Sequence, residues 1–421
     1  MHKHLEKLEE LTKEIKKVYL VADEGIIKLL TAVIIANRMR SDDAVWLFLV
    51  AGSSGGKTEF IQALGGCKGI VPISSLTPTT FISGQRPKNG EEPSLLLKLD
   101  PRWISIFTFK DFTTILSMNP DAKREIIGQL REVYDGEIVK IFGTGKTLRW
   151  KGKVGFIAGA TSVVYQARDL WASMGDRFLM YNMEQPDRFD VGMKAIANAS
   201  HIKEHRSRIR EAFTEYIENV IELPESTPNV SIELAGDIVR LADLVTRARS
   251  AVERDWRSPT KEIVFVGAVE GTPRMAAQLK AVAGALMIIN GEKMLTESDY
   301  KIIYKLALDT ITPIKRRALQ AMAQVDYITT SDMAIKLNLS GNTARRALEE
   351  LDAFEILDRS KQKNRDIWAM RDDFRQVIQK FDNDFERELP SLPAKETETI
   401  PTEEINPQEV LWADDKERDE L

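Results

Sequence analysis

Near the N-terminus, apolar residues recur at helical spacing. In LEKLEELTKEIKKVYL they are Leu5, Leu8, Ile15 and Val18, and in IIKLLTAVIIANRM they run almost without interruption. The first stretch predicts a surface helix and the second a buried one. AVWLFLVAG is then a continuous apolar run closing on glycine, the pattern of a strand covered on both faces. WISIFTF and VGFIAGA repeat it, with the helical stretch DAKREIIGQLREVY between them, and a further apolar strand follows in FLMYNM. Such alternation predicts an α/β layer with a mainly parallel sheet. From about residue 190 the strand pattern fades and helices take over, as in AGDIVRLADLVTRARSAVERD and GTPRMAAQLKAVAGALMIIN.

The pattern divides the chain into an N-terminal helical segment (1–40), an α/β core (41–190), a helical region (191–314), a small separate unit (315–375) and a helix end with an acidic tail (376–421). The tail is rich in Pro, Glu and Thr and poor in apolar residues, so disorder is expected there. Over 421 residues, 43% hydrophobic and 29% charged side chains suffice for two or three packed domains. One cysteine, Cys67, excludes a disulfide framework and any multi-cysteine zinc site, and reads as a buried structural thiol. The N-terminus has no apolar stretch of the kind a signal peptide or membrane span requires, so the expectation is a cytoplasmic protein of a bacterial or phage-host cell. The net charge of −5 is uneven: from Asp382 onward fourteen acidic side chains face four basic ones, a balance of −10 that leaves +5 on residues 1–381. A mildly basic body is compatible with nucleic acid.

AGSSGGKT, Ala51–Thr58, sits between an apolar strand and the helical EFIQAL, and fits a phosphate-binding loop with Ala in place of Gly at its first position. Gly52, Gly55 and Gly56, with Ser53 and Ser54 between them, let backbone amides curl around phosphates. Lys57 then reaches the β and γ oxygens of ATP, and Thr58 offers its hydroxyl to Mg2+ at a helix N-terminus whose dipole favours anions. A second Gly-Lys-Thr, Gly145–Thr147, fails this pattern, because Lys140 stands five residues ahead of Gly145 and an extended stretch, TLRWKG, follows.

Hydrolysis needs an acid at the end of a neighbouring strand. WISIFTFKDF offers Asp111, preceded by Lys110 rather than by a second acid, so Asp111 serves either as Mg2+ ligand or as base. A strand-ending turn aspartate is the plain alternative. VGFIAGATS ends in Thr161 and Ser162, hydroxyls placed to touch a γ-phosphate, to orient water, or simply to cap a helix. Arg177 in SMGDRFLMYNM is placed to reach a neighbouring subunit's γ-phosphate as an arginine finger, or to pair with Asp176 or Glu184. Arg274, opening the helix of GTPRMAAQL, is a second phosphate-sensing candidate.

In this order the parts resemble a AAA+ ATPase core. AGSSGGKT, TFKD, AGATS, GDRFL, TPRMAAQL and LTESDYKIIYKLAL are similar to the motifs of minichromosome-maintenance-like helicases and their relatives in phages and other mobile elements. SSLTPTTFISG, QLREVYDGE and FGTGKTLRWKGKVGFIAGATS resemble the mobile-element branch. The resemblance spans roughly residues 25–370 and implies an α/β fold, an AAA+ P-loop core with a helical lid followed by a winged-helix domain, to which the composition adds a disordered acidic tail. It also implies a homo-oligomeric ring, commonly a hexamer, with ATP and Mg2+ at subunit boundaries, the arginine finger donated in trans, and DNA in the pore. The expected function is an ATP-dependent DNA translocase or helicase acting in replication of a phage or other mobile element. An ATP-switched DNA-binding regulator or a helicase-loading ATPase is the alternative. The sequence departs from the pattern in its single acid at Asp111, and with only about forty residues ahead of the core the N-terminal DNA-binding collar is not expected.

Rings of this class often carry a β-hairpin just before the strand that ends at Thr161, its basic tip in the pore, and EIVKIFGTGKTLRWKGK resembles it. Lys146 would meet a DNA phosphate, with Thr144 and Lys140 as lesser candidates, and an ordinary surface hairpin is the alternative. Residues 315–370 have a winged-helix cadence: a helix, a second one capped by Thr330 or Ser331, the turn LNLSGN, a third helix TARRALEELDAFEIL, and a basic hairpin DRSKQKNRDIWAM. Thr343, Arg345 and Arg346 are placed for base edges or phosphates, and Lys361, Lys363 and Arg365 for backbone phosphates. Such domains also bind proteins. In the tail, Val410, Leu411 and Trp412 among acids offer a docking peptide for a protein partner, or the acids only keep a linker soluble.

Overall fold

The computed structural model describes residues 2–40, 42–85, 91–167, 174–255, 257–362 and 365–381. The amphipathic first stretch forms α1 (His2–Val18) and the apolar one α2 (Gly25–Arg38), parted by a break in which Asp23 Oδ1 accepts the Gly25 N–H at 2.8 Å. β1 (Trp46–Val50), the Gly-rich loop, α3 (Lys57–Ala63), β2 (Ile70–Ile73), β3 (Ser105–Phe109), α4 (Thr113–Leu116) and α5 (Pro120–Tyr134) follow. α5 starts where Asn119 accepts the Asp121 N–H and Pro120 fills the first turn. β4 (Glu137–Ile141) and β5 (Thr147–Lys151) make an antiparallel hairpin. With β6 (Val154–Ala160) and β7 (Phe178–Asn182) the parallel sheet is complete, in the order β2-β3-β6-β1-β7, and the fold is α/β. The apolar pattern does not predict β2, a short strand carrying Pro72, which an edge position tolerates.

Side chains of β1 alternate across the sheet. Trp46 and Phe48 join Phe109, Phe112, Phe156 and Phe178 on one side, while Leu47 and Leu49 join the larger cluster that α2 builds. The aromatic rings are fully buried with neighbouring centroids 4.3 to 6.5 Å apart, and each contributes about 2–3 kcal/mol by burial. A rigid base for the strand ends results.

After β7 come α6 (Arg188–Asn198), α7 (Ile202–Glu215) and α8 (Ile232–Arg249), then α9 (Pro273–Asn290) and α10 (Glu297–Asp309). Ser231 caps α8, and a reciprocal box between Thr296 and Asp299 caps α10. Beyond residue 190, where the strand pattern fades and a helical region is expected, the structure adds β8 (Val252–Arg254) and β9 (Ile263–Val266), an antiparallel hairpin. Its strands are short and Val264 and Phe265 are 63% and 58% exposed, so no buried-strand pattern marks them.

The C-terminal unit runs α11 (Pro313–Ala323), β10 (Ile328–Thr329), α12 (Thr330–Leu337), α13 (Gly341–Ala353), β11 (Leu357–Gln362), β12 (Arg365–Met370) and α14 (Asp372–Phe381), with a small antiparallel sheet ordered β10-β12-β11. Thr329 caps α12, in place of the expected Thr330 or Ser331. The Thr330 hydroxyl instead accepts the Trp368 indole N–H at 2.9 Å. All these elements belong to one compact unit, in which α1 packs on α7 and α2 on α9. The acidic tail with Val410, Leu411 and Trp412 lies outside the described residues. Among the described residues no helix is long and apolar enough to cross a membrane.

Lys153 donates to the Ala36 and Met39 carbonyls at 3.2 and 2.7 Å, closing the end of α2. Burial pulls its pKa from 10.5 down to about 8. Between those values the unfolded chain holds a proton that the folded chain has released, so this lysine makes stability rise with pH across that window. Thermal unfolding of the wild type against Lys153→Met from pH 8 to 10.5 should show the wild-type Tm climbing relative to the variant. Parallel profiles would contradict it.

Candidate active site

The Gly-rich loop leaves the C-terminal end of β1 and turns twice through the left-handed region, at Ser54 (φ 61°) and Gly56 (φ 81°), before α3 begins at Lys57. Gly55 allows a close approach, since a Cβ there would lie 2.8 Å from both Ala51 Cβ and Gln185 Oε1. Gly52, Ser53 and Ser54 are exposed, and Thr58 is half-buried. Lys57 is buried and folds back over the loop, donating to the Ala51 and Gly52 carbonyls at 2.8 and 2.7 Å. Burial lowers its pKa, and the charge of Asp111 acts in the opposite direction. A cation and the start of α3 thus lie together at the loop, a setting suited to an anion.

Asp111 reaches this point because β6 gives way to it. Gly159 has no side chain, and a Cβ there would meet the Lys110 carbonyl at 2.4 Å; the Phe112 N–H instead bonds the Gly159 carbonyl at 2.7 Å. Asp111 is exposed, and its Oδ1 accepts the Thr113 N–H at 2.9 Å. Thr161 follows β6 and takes the capping position of a short 3-10 turn, but its side chain makes no capping bond. Its amide and hydroxyl lie 3.3 and 3.4 Å from Thr113 Oγ1. Lys57, Thr161 and Asp111 therefore stand beyond the C-terminal ends of the neighbouring strands β1, β6 and β3.

Beside the loop opens a cavity of about 550 Å3, lined by Ser54–Phe60 and by Val21, Ile26, Met183, Val191 and Ala195 among others. One wall is tied by Glu59, which accepts from Tyr19 OH at 2.7 Å and from Arg206 Nε at 2.8 Å. An apolar slot continuous with an anion cradle has the size and character of a small-molecule pocket.

Arg177 and Arg274 lie elsewhere. Arg177 immediately precedes β7, whose first residue Phe178 pairs with Trp46, whereas the loop leaves β1 at Val50 beside Asn182. The length of β7, about 15 Å, separates them. Arg177 is buried and held bidentately by Asp135, Nε at 3.1 Å and Nη2 at 2.8 and 2.7 Å, with Nη1 on the Met174 carbonyl at 3.0 Å. Asp135 thus takes the place of Glu184 as partner, and Glu184 pairs with Lys305 instead. Asp135 ends α5, far from Arg177 in sequence, so spacing does not reveal the pair. Arg177 and Arg274 both lie over the Tyr134 ring, at 5.6 and 5.9 Å.

No protein-family model and no curated protein matches this chain.

The second Gly-Lys-Thr is the turn of the β4–β5 hairpin: the Phe142 N–H bonds the Lys146 carbonyl at 2.9 Å and Gly145 takes φ 79°. Thr144 is exposed and Lys146 half-buried at this turn. Lys140 points away from it, its Nζ 3.2 Å from both the Pro78 carbonyl and Glu125. On the outer face Val139, Ile141, Arg149 and Lys151 are exposed, and the sequence reading misses these residues although strand alternation marks them.

In the C-terminal unit Thr343 lies at the start of α13, its hydroxyl 2.8 Å from Ser340 Oγ. Arg345 is committed within the chain, to the Thr260 carbonyl at 2.6 Å and Glu349 at 3.4 Å, and the Arg346 carbonyl accepts from Arg254 at 3.0 Å. Lys361 and Arg365 are exposed on the β11–β12 hairpin, and Lys363 lies outside the described residues. Cys67 is buried, and burial pushes its thiol up to about 11.

Proposed function

We propose that the chain is an ATPase of the AAA+ type that acts on DNA, a ring-forming translocase or helicase. The observation that carries this reading is the convergence of Lys57, Thr161 and Asp111 at the ends of adjacent strands. The connections leaving β1 and β6 there run to opposite edges of the sheet, the place where open α/β sheets bind ligands. The loop amides would hold the phosphates and the adjoining cavity the base. Lys57 would exchange the Ala51 and Gly52 carbonyls for phosphate oxygens, regaining the charge stabilisation that burial takes from it.

Thr58 and Asp111 would hold Mg2+, since a hydroxyl and a carboxylate are the hard oxygen donors this ion prefers. The ion would neutralise negative charge on the phosphates. Thr161 would donate to the γ-phosphate. Arg177 and Arg274 sit too far from their own loop to act there. A ring, commonly a hexamer, would bring them to a neighbour's nucleotide, with Arg177 leaving Asp135 as it does so.

The β4–β5 hairpin supports contact with DNA through Lys146 and Thr144. The helices α11–α13 with the small sheet support a winged-helix reading, in which Lys361 and Arg365 face phosphates. A second reading, an ATP-switched DNA-binding regulator, would require Arg345 to leave the Thr260 carbonyl before it could reach DNA.

ATP turnover with and without single-stranded DNA, followed by strand displacement on a forked duplex, separates the two. The motor reading requires stimulation and displacement; turnover indifferent to DNA and no displacement would leave the regulator. Lys146→Ala should keep basal turnover and lose most of the DNA stimulation and unwinding. Undiminished unwinding in that variant would remove the hairpin from the DNA path.

A further inference from the structure

Thr113 has no part in the sequence patterns above, yet it joins the two strand ends of the site. Its backbone N–H goes to Asp111 Oδ1 at 2.9 Å. Its hydroxyl oxygen lies 3.3 Å from the Thr161 amide nitrogen and 3.4 Å from Thr161 Oγ1. An amide has only a proton to give, so Thr113 Oγ1 accepts there. Its second lone pair and its one proton both remain, so Thr113 Oγ1 can accept from the Thr161 hydroxyl or donate to it; in the donating arrangement the Thr161 proton points away from Thr113.

We infer that Thr113 is a positioning residue that sets the Thr161 hydroxyl as an outward donor and ties it to the segment carrying Asp111. The assignment rests on the ATPase reading. Toward a γ-phosphate a fixed donor is the useful polarity, because the charge developing on phosphate oxygens in hydrolysis is stabilised by donors already aimed at it. A free threonine hydroxyl would spend part of its time as an acceptor. Phosphate offers it no proton in that state.

Thr113→Val keeps the shape and the amide bonded to Asp111 but removes the hydroxyl. The expected result is a loss of about tenfold in the single-turnover hydrolysis rate, with affinity for a fluorescent ATP analogue changed by no more than about twofold. Thr113→Ser restores the rate. Thr113→Val combined with Thr161→Val is no slower than Thr161→Val by itself, because the first residue acts through the second. An unchanged rate in Thr113→Val, additive losses in the double variant, or equal losses of rate and affinity that serine does not restore would each overturn the assignment. A wild type without Lys57-dependent turnover would take down the ATPase reading together with it. Normal wild-type turnover beside an unaffected Thr113→Val would take down this assignment and leave that reading standing.

Discussion

Lys57→Ala is expected to reduce ATP turnover by at least about a hundredfold, the usual cost of deleting a preorganised charge at a reacting phosphate. The fold should survive. The side-chain bonds of Lys57 run to two carbonyls of its own loop, Ala51 and Gly52, so their loss costs about 3 kcal/mol in total. Relief from burying an ammonium offsets part of that cost. Three measurements belong together: turnover, nucleotide affinity and Tm. Wild-type turnover in a folded Lys57→Ala protein would end the assignment of this loop to ATP, whatever the DNA experiments gave.

The second large effect is on stability. Asp309 is fully buried at the end of α10, where one carboxylate oxygen pairs with Arg316 and the other accepts the Asn182 N–H at 2.8 Å and meets Lys305 at 3.2 Å. Its carbonyl takes the Tyr165 hydroxyl at 2.6 Å. One residue thus binds the edge of the sheet, the segment after Thr161 and the first helix of the C-terminal unit. Asp309→Ala leaves the partly exposed Arg316 and the Asn182 amide without their carboxylate, while Lys305 keeps Glu184, and should cost about 2–3 kcal/mol. Asp309→Asn still accepts from Asn182 and should cost less. Urea unfolding of both variants checks this order, and an alanine variant as stable as the wild type would show that the Asp309 carboxylate does not hold these elements together. Asn182 pairs with Val50, the residue before the loop, so nucleotide affinity should fall in the same variants.

The strands of the sheet centre were legible because burial on both faces leaves continuous apolar runs, as in WLFLV and VGFIAGA. β2, β8 and β9 were not. They are short, carry a proline or leave apolar side chains in water, so no periodicity separates them from loop. The Gly-rich loop was legible because its chemistry is local, each backbone turn demanding its own residue. The sheet order was not, and with it went the reason why Asp111 and Thr161 meet. Nor was the cavity, whose walls come from the break after α1 and from α6, nor the Arg177–Asp135 pair, whose members stand 42 residues apart. Thr113 escaped notice because threonine after a strand is ordinary until its hydroxyl is seen against Thr161.

At one border of the sheet, the Met180 amide is taken by the Thr310 hydroxyl at 3.0 Å and the Asn182 amide by Asp309. At the other border, β2 carries Pro72, which has no amide proton. Strand-by-strand templating between copies of this chain is thereby discouraged on both sides. In the proposed ring, contacts between copies would then run through helices and loops, which could loosen and re-form with nucleotide while the sheet stays intact.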